Sequence, residues 1–167
     1  MRLDLVTNGL TIAMTCAAVV CSAANATAQT AKDLVGTWEA VSIVNTAKDG
    51  TKTDVFGPTP KAASMFGADG RFAQIVTRPG LPKFASGNRL QGTPDENKAI
   101  VQNTIAYFGT YSVVDKVLIL HVEGGTWPSW IGTDQKRSIT SFANDKMALT
   151  LEASIGGSNV TEWKRAK

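Results

Sequence analysis

The feature that most constrains this chain is a period-two alternation of apolar and polar residues, cut at short intervals by turn residues. Alternation puts successive side chains on opposite faces of an extended strand, so such a segment buries one face and wets the other. Eight segments of this kind follow residue 35. The first, residues 36–45, has Trp38, Ala40, Ser42 and Val44 on one face and Val41 and Ile43 on the other. Residues 62–66 and 71–77 flank Ala68-Asp69-Gly70, where Asp-Gly marks a hairpin because glycine supplies the positive φ. Residues 108–114 pair with 117–123 across Asp115-Lys116, and residues 135–142 with 147–153 across Asn144-Asp145. Residues 159–165 close the chain after Gly156-Gly157. Eight hairpin-linked strands in an open sheet leave two bare edges, and closure removes both. The expected fold is all-β, an eight-stranded antiparallel up-and-down barrel, with a β-sandwich as the alternative.

Two stretches break the pattern. Residues 48–60 form a polar loop, and residues 79–92 hold two prolines and cannot be a ladder strand. Thr93-Pro94-Asp95-Glu96 then opens one short helix between strands three and four. Thr93 can cap, Pro94 suits the first helical position, and Glu96 can reach back to complete a capping box. Ile100, Val101, Ile105 and Phe108 follow as one apolar stripe, so the helix is expected to lie on the barrel.

The first 28 residues read as a secretory signal. Arg2 starts it, an apolar run spans residues 10–20, and Ala26-Thr27-Ala28 supplies the small-x-small pattern of a cleavage site. The run is shorter than the roughly 20 residues a membrane-spanning helix needs, and a retained N-terminal anchor is the alternative. Cleavage leaves residues 29–167 as one exported domain, periplasmic or secreted, without a membrane span. It also removes Cys16 and Cys21, so the mature chain has no disulfide, thiolate metal site or cysteine nucleophile. The net charge of +3 survives cleavage, because one base and one acid, Arg2 and Asp4, leave together. No basic run exceeds Lys164-Arg165, so nucleic acid is not an expected partner. There is no HExxH, no glycine-rich phosphate loop and no Gly-x-Ser-x-Gly. A single histidine excludes the usual zinc sites, and the acids do not cluster as calcium requires. No metal or cofactor is expected.

Gly36-Thr37-Trp38 at the start of the first strand resembles the Gly-x-Trp signature of lipocalins. The resemblance implies that Trp38 plugs a closed barrel end and that Arg165, from the last strand, packs across it. The chain is further similar to the bacterial lipocalin-like domain proteins. The stretches that carry this include Leu34-Val35-Gly36-Thr37-Trp38, Asp69-Gly70-Arg71-Phe72, Tyr107-Phe108-Gly109-Thr110-Tyr111 and Trp130-Ile131-Gly132. They span the mature chain. The helix between strands three and four departs from lipocalins, whose helix follows strand eight. Because such barrels host carriers, isomerases and cyclases alike, the resemblance implies a fold more firmly than an activity.

Parity suggests which side chains reach the interior. Met147, Leu149 and Leu151 are expected inside, as are Gln135, Arg137 and Ile139 on the strand before, and Phe72, Gln74, Val76 and Arg78 on the third. An inward charge is costly unless paired or solvated. Arg137 is therefore either the counter-charge for an anionic ligand or half of an internal ion pair, with Glu123 its expected partner. His121 and Glu123 share a face opposite Leu118, Leu120 and Val122. They point outward if the leucines are inside; otherwise His121 can shuttle protons at the mouth. Arg78, Lys83 and Arg89 gather on the long loop, which is expected to cover one barrel end and can receive an anionic head group. Trp127 and Trp130 share a loop that either lines the mouth or packs on itself. Tyr107 and Tyr111 either bond a ligand or fill space. The candidate ligand contacts are thus Arg78, Arg89, Tyr111, His121, Trp130, Gln135 and Arg137.

The leading expectation is a non-enzymatic protein that holds a small, partly apolar ligand with an anionic or carbonyl end inside the barrel. One alternative is an isomerase- or cyclase-type enzyme using the cavity. The other is a filled barrel with a structural or stress role. The sequence names neither the ligand nor the oligomeric state.

Overall fold

The computed structural model describes residues 29–152 and 157–167. The signal reading, both cysteines, Ala153 and Gly156 lie outside the described residues. Among those described, nine strands run in order: β1 (Gly36–Thr46), β2 (Lys52–Asp54), β3 (Lys61–Phe66), β4 (Arg71–Thr77), β5 (Thr104–Val114), β6 (Val117–Gly125), β7 (Asp134–Ala143), β8 (Lys146–Glu152) and β9 (Ser158–Arg165). From β3 onward each pairs antiparallel with the next, β3 pairs with β1, and β9 returns to β1 along Trp38↔Arg165 to Thr46↔Ser158. That last ladder closes an eight-stranded barrel. The short β2 pairs only with the end of β1, within the stretch expected to be a loop.

Counting β2, the helix α2 (Pro94–Asn103) follows the fourth strand rather than the third. Its start is as the sequence dictates: Thr93 Oγ1 accepts from the Glu96 amide, and the Glu96 carboxylate accepts from the Thr93 amide. Its end is not. Ile105 and Phe108 leave the expected stripe because residues from Thr104 onward join β5, where Ile105 sits opposite Val76. A ladder satisfies the backbone and lets Ile105 face the interior, which outweighs the helical period. The shortened α2 buries no side chain, and Val101 is 70% exposed.

Bulges decide which faces point inward. The pairing of β1 with β9 shifts between Ala40 and Ser42, so Val41 is the extra residue. Trp38 and Ile43 are both buried although the strict alternation put them on opposite faces. Ser42, expected beside Trp38, instead bonds the exposed Glu162 carboxylate. A second bulge, at Thr140 on β7, turns Phe142 rather than Ser141 toward Trp38; before it, and on β6 and β8, parity holds. Leu118, Leu120 and Val122 on β6, Ile139 on β7, and Met147 and Leu149 on β8 are all buried. Asp115-Lys116 and Asn144-Asp145 turn with positive φ at both central residues, as two-residue type I′ hairpins need.

One end of the barrel is shut. Trp38 is fully buried and donates from Nε1 to the Leu34 carbonyl at 2.8 Å, at the end of a short helix α1 (Ala31–Leu34). The Arg165 guanidinium lies 4.3 Å from the indole centroid. It also donates to the carbonyls of Val35 (2.7 Å) and Asp33 (2.9 Å) and to the Asp145 carboxylate (2.9 Å). Gly36, at φ +125°, must be glycine here, because a Cβ would press into that guanidinium. The rest of this half is filled by large apolar side chains, and burying each contributes about 1.5–3 kcal/mol.

Candidate functional site

Because the β3–β4, β5–β6 and β7–β8 turns and the β1 start cluster at the shut end, the other end gathers the starts of β5, β7 and β9, β2, α2 and the 3₁₀ turn Pro128–Trp130. A cavity of about 560 Å³ opens there. Its floor and walls come from inward positions of the strands: Ile43 and Asn45 on β1, Gln74 and Val76 on β4, Ile105 and Tyr107 on β5, Arg137 on β7, Leu151 on β8, and Asn159, Thr161 and Trp163 on β9. Thr53, Val55 and Phe56 lean in from β2 and the turn after it, and Trp130 from the 3₁₀ turn.

Arg137 is the charged group of this cavity and is 9% exposed. It occupies an interior position because parity on β7 puts it there, opposite Leu118 of β6. Its Nη1 donates to the Lys136 carbonyl at 2.9 Å, and its guanidinium stands 5.7 Å from the Trp130 ring centroid. No carboxylate pairs with it among the described residues. The expected partner, Glu123, is on the outer surface and pairs with Arg71 at 2.7 Å. The internal ion pair is thus overturned by the parity of β6: Leu118, Leu120 and Val122 take the inside, so Glu123 must face water.

Aromatic rings frame the guanidinium. Tyr107 meets Trp130 edge to face, with centroids 5.2 Å apart, and Phe72 backs Tyr107 at 5.8 Å. Burial pushes the Tyr107 phenol up from its ordinary value, against the opposing pull of the Arg137 charge, so the hydroxyl stays protonated. Trp163, also on the wall, is buried and its Nε1–H finds no acceptor among the described residues. The lining is therefore apolar and aromatic with a few polar groups inserted, the pattern of a small-molecule pocket. Among the described residues, neither a carboxylate nor a histidine is on this wall.

Of the seven candidates, the structure brings Trp130 and Arg137 together on the cavity and separates the rest from it. Tyr111 shares its face with Tyr107 but lies nearer the shut end. There its hydroxyl donates to the carbonyls of Gly67 (2.9 Å) and Ala31 (3.2 Å), and its ring packs on Phe66 at 4.9 Å. His121 points outward and bonds the Asp134 carboxylate at 2.8 Å, so a His121–Glu123 acid–base pair at the mouth does not exist. Gln135 faces inward, but its amide is turned to Thr133 Oγ1 at 2.9 Å. Arg78 is exposed just past β4, its side chain against Gly57. Arg89 is exposed on the long loop, which is tethered to α2 by Ala85 donating to Glu96 and lines none of the cavity. The loop's prolines deny it a ladder, so the helix cap holds it instead.

Several wall residues escaped the sequence reading. Thr53, Val55 and Phe56 sit in the stretch read as a plain loop, whose three-residue strand is too short to show alternation. Asn45 was hidden by the β1 bulge. Asn159, Thr161 and Trp163 could have been found, because the parity that places Trp163 inside also places the other two there. Among the described residues, no cluster of acids and histidine could hold a metal, and no helix is long and apolar enough to cross a membrane.

Comparison with known proteins gives four likenesses. The family described as "Lipocalin-like domain" matches residues 35–166. A 4'-hydroxy-3'-methoxypropiophenone carrier protein of Aspergillus oryzae is 33% identical over 72 residues, covering 38% of this chain and 65% of that protein, just under two thirds of its length. Among solved structures, an uncharacterised protein from Bacteroides eggerthii (12% identity, TM-score 0.43) covers 78% of this chain and 98% of its own. A redesigned β-barrel (13% identity, TM-score 0.43) covers 84% and 98%.

Proposed function

The chain belongs to the lipocalin-like domain family, and from that premise we propose that it holds a small, partly apolar molecule with an anionic or carbonyl end inside the barrel. The observation that carries this reading is Arg137. A guanidinium held almost wholly inside a barrel, with no carboxylate beside it among the described residues, lowers stability unless something completes it. A barrel built only to be stable would continue the apolar filling of its shut half upward. This one instead leaves about 560 Å³ open around the charge.

Binding is favoured over catalysis by the wall itself. Among the described residues it carries neither a carboxylate nor a histidine to serve as a general base. The carrier role in the name of the Aspergillus oryzae relative supports a carried small molecule that bears a carbonyl. We infer export as well, to the periplasm or the medium, on the strength of Ala26-Thr27-Ala28 after its apolar run. Native mass spectrometry of protein purified from its own host tests the binding reading. The expected result is a second mass, released on unfolding. A barrel that carries none, and whose tryptophan fluorescence responds to no member of a panel of small aromatic acids and ketones, overturns it.

A further inference from the structure

Whether the guest is an anion or a neutral carbonyl follows from the donors and charges on the wall. We propose that the cup selects aryl oxyanions, that is, aromatic carboxylates and acidic phenols bound as phenolates, with the oxyanion against Arg137 and the ring among Trp130, Tyr107 and Trp163. This rests on the reading of the cavity as a ligand site and specifies its chemistry.

Three observations converge. Arg137 donates to one backbone carbonyl and stands in hydrogen-bonding reach of the Tyr107 phenol, while its charge is met by no carboxylate among the described residues. A guanidinium has five N–H donors, so a fork remains for a two-oxygen or strongly basic single-oxygen acceptor. The side chains around it add donors rather than negative charge: the Trp163 Nε1–H lacks an acceptor, and Tyr107 keeps its proton. A neutral carbonyl would satisfy a donor and leave the charge bare; a cation would be repelled. Finally, the Trp130 ring centroid lies 5.7 Å from the guanidinium carbon and Tyr107 meets Trp130 edge to face at 5.2 Å, an aromatic surround that favours a planar guest over a flexible chain.

No other ionisable group competes inside. From β1, β4, β5, β8, β9, the β2 arm and the 3₁₀ turn, the wall offers Tyr107 alone beside Arg137. The neighbouring Lys136 and Asp134 on β7, with His121 and Glu123 on β6, lie on the outer face. A change of binding with pH near neutrality would therefore report the guest's own ionisation.

The test uses three isosteric probes at pH 7.5, 2-naphthoate, 2-naphthamide and 2-naphthylmethylamine, with affinities from tryptophan quenching and calorimetry. The expected result is 2-naphthoate bound at least tenfold more tightly than either of the others. Arg137→Gln should remove at least tenfold of the 2-naphthoate affinity while changing that for 2-naphthamide less than threefold. In parallel, 4-nitrophenol, whose phenolate absorbs separately, should titrate at least one pH unit lower when bound. If 2-naphthamide binds as tightly as 2-naphthoate, anion selection is overturned and the cup stands; if none of the probes binds, both are overturned. The wild-type comparison needs no variant to fold, and Arg137→Lys, which keeps the charge but loses the fork, should fall between wild type and Arg137→Gln.

Discussion

Replacing Arg165 by alanine should cost this barrel more than any other exposed-charge substitution. The guanidinium is one side chain joined to four groups at the shut end: the Trp38 indole at 4.3 Å, the carbonyls of Val35 and Asp33 at 2.7 and 2.9 Å, and the Asp145 carboxylate at 2.9 Å. Hydrogen bonds from a charged donor contribute about 1.5–3 kcal/mol each, and the low end applies because the side chain is 30% exposed. The contact over the indole adds roughly 1 kcal/mol. Asp145 is 75% exposed, so that ion pair adds at most a few tenths after solvent screening. Arg165→Ala should therefore lose about 4 kcal/mol. For a domain of about 140 residues that lowers Tm by roughly 12 °C. Urea titration followed by tryptophan fluorescence measures the first quantity, and thermal circular dichroism the second. Arg165→Lys should recover less than half of the loss, because an ammonium cannot reach both carbonyls and the indole together. Asp145→Asn should cost under 1 kcal/mol. A loss below 1 kcal/mol in Arg165→Ala, or an equal loss in Asp145→Asn, would refute the reasoning that the buried-side contacts dominate.

Arg137→Met should raise the stability of the unliganded protein by about 1–2 kcal/mol, since an unpaired interior charge gives way to an apolar side chain of similar length; a comparable loss in urea titration would make Arg137 a structural strut instead. Gly109→Ala should destabilise by on the order of 3 kcal/mol or prevent folding, because a Cβ there runs into the His121 carbonyl at the β5–β6 bulge, whereas Gly80→Ala, which meets no neighbour, costs only its positive φ. The hydrogen bonds from the Ala85 and Thr93 amides hold the Glu96 carboxyl below its ordinary value. A carboxyl lowered in the folded state stabilises above its unfolded value of 4.5 and loses that contribution as pH falls through the lower folded value. Protection of the α2 amides against hydrogen exchange, taken relative to the intrinsic rate at each pH, should thus fall below about pH 4.5, and Glu96→Gln should abolish that fall. Thr93→Ala should cost about 1 kcal/mol at neutral pH, read from the same urea titration.

What the sequence determined by itself is local or periodic. Strand positions, the three described hairpin turns and the α2 cap each depend on residues within a few places of one another, so Asp115-Lys116 or Thr93-x-x-Glu96 carries its own geometry. The shut end was legible as well, because Gly36-Thr37-Trp38 and Arg165 resemble a known arrangement and the structure places them in contact. The inward position of Arg137 followed from simple parity on β7.

What only the tertiary structure decided depends on counting across strands and on height along the barrel. The bulge at Val41 arises where β1 must bend to meet β9, and it moved Asn45 onto the cavity wall. The end of α2 at Asn103 was set by β4 offering Thr104 a partner. Tyr107 and Tyr111 have the same parity and similar neighbours in sequence; that one faces the cavity and the other braces the shut end follows from their distance to the Asp115-Lys116 turn. Glu123 was the natural partner for Arg137 in a list of charges, yet the leucines of β6 claimed the interior and turned it outward. The closed barrel settled which face of β6 meets the core, and with Glu123 outside no carboxylate stands beside Arg137 among the described residues.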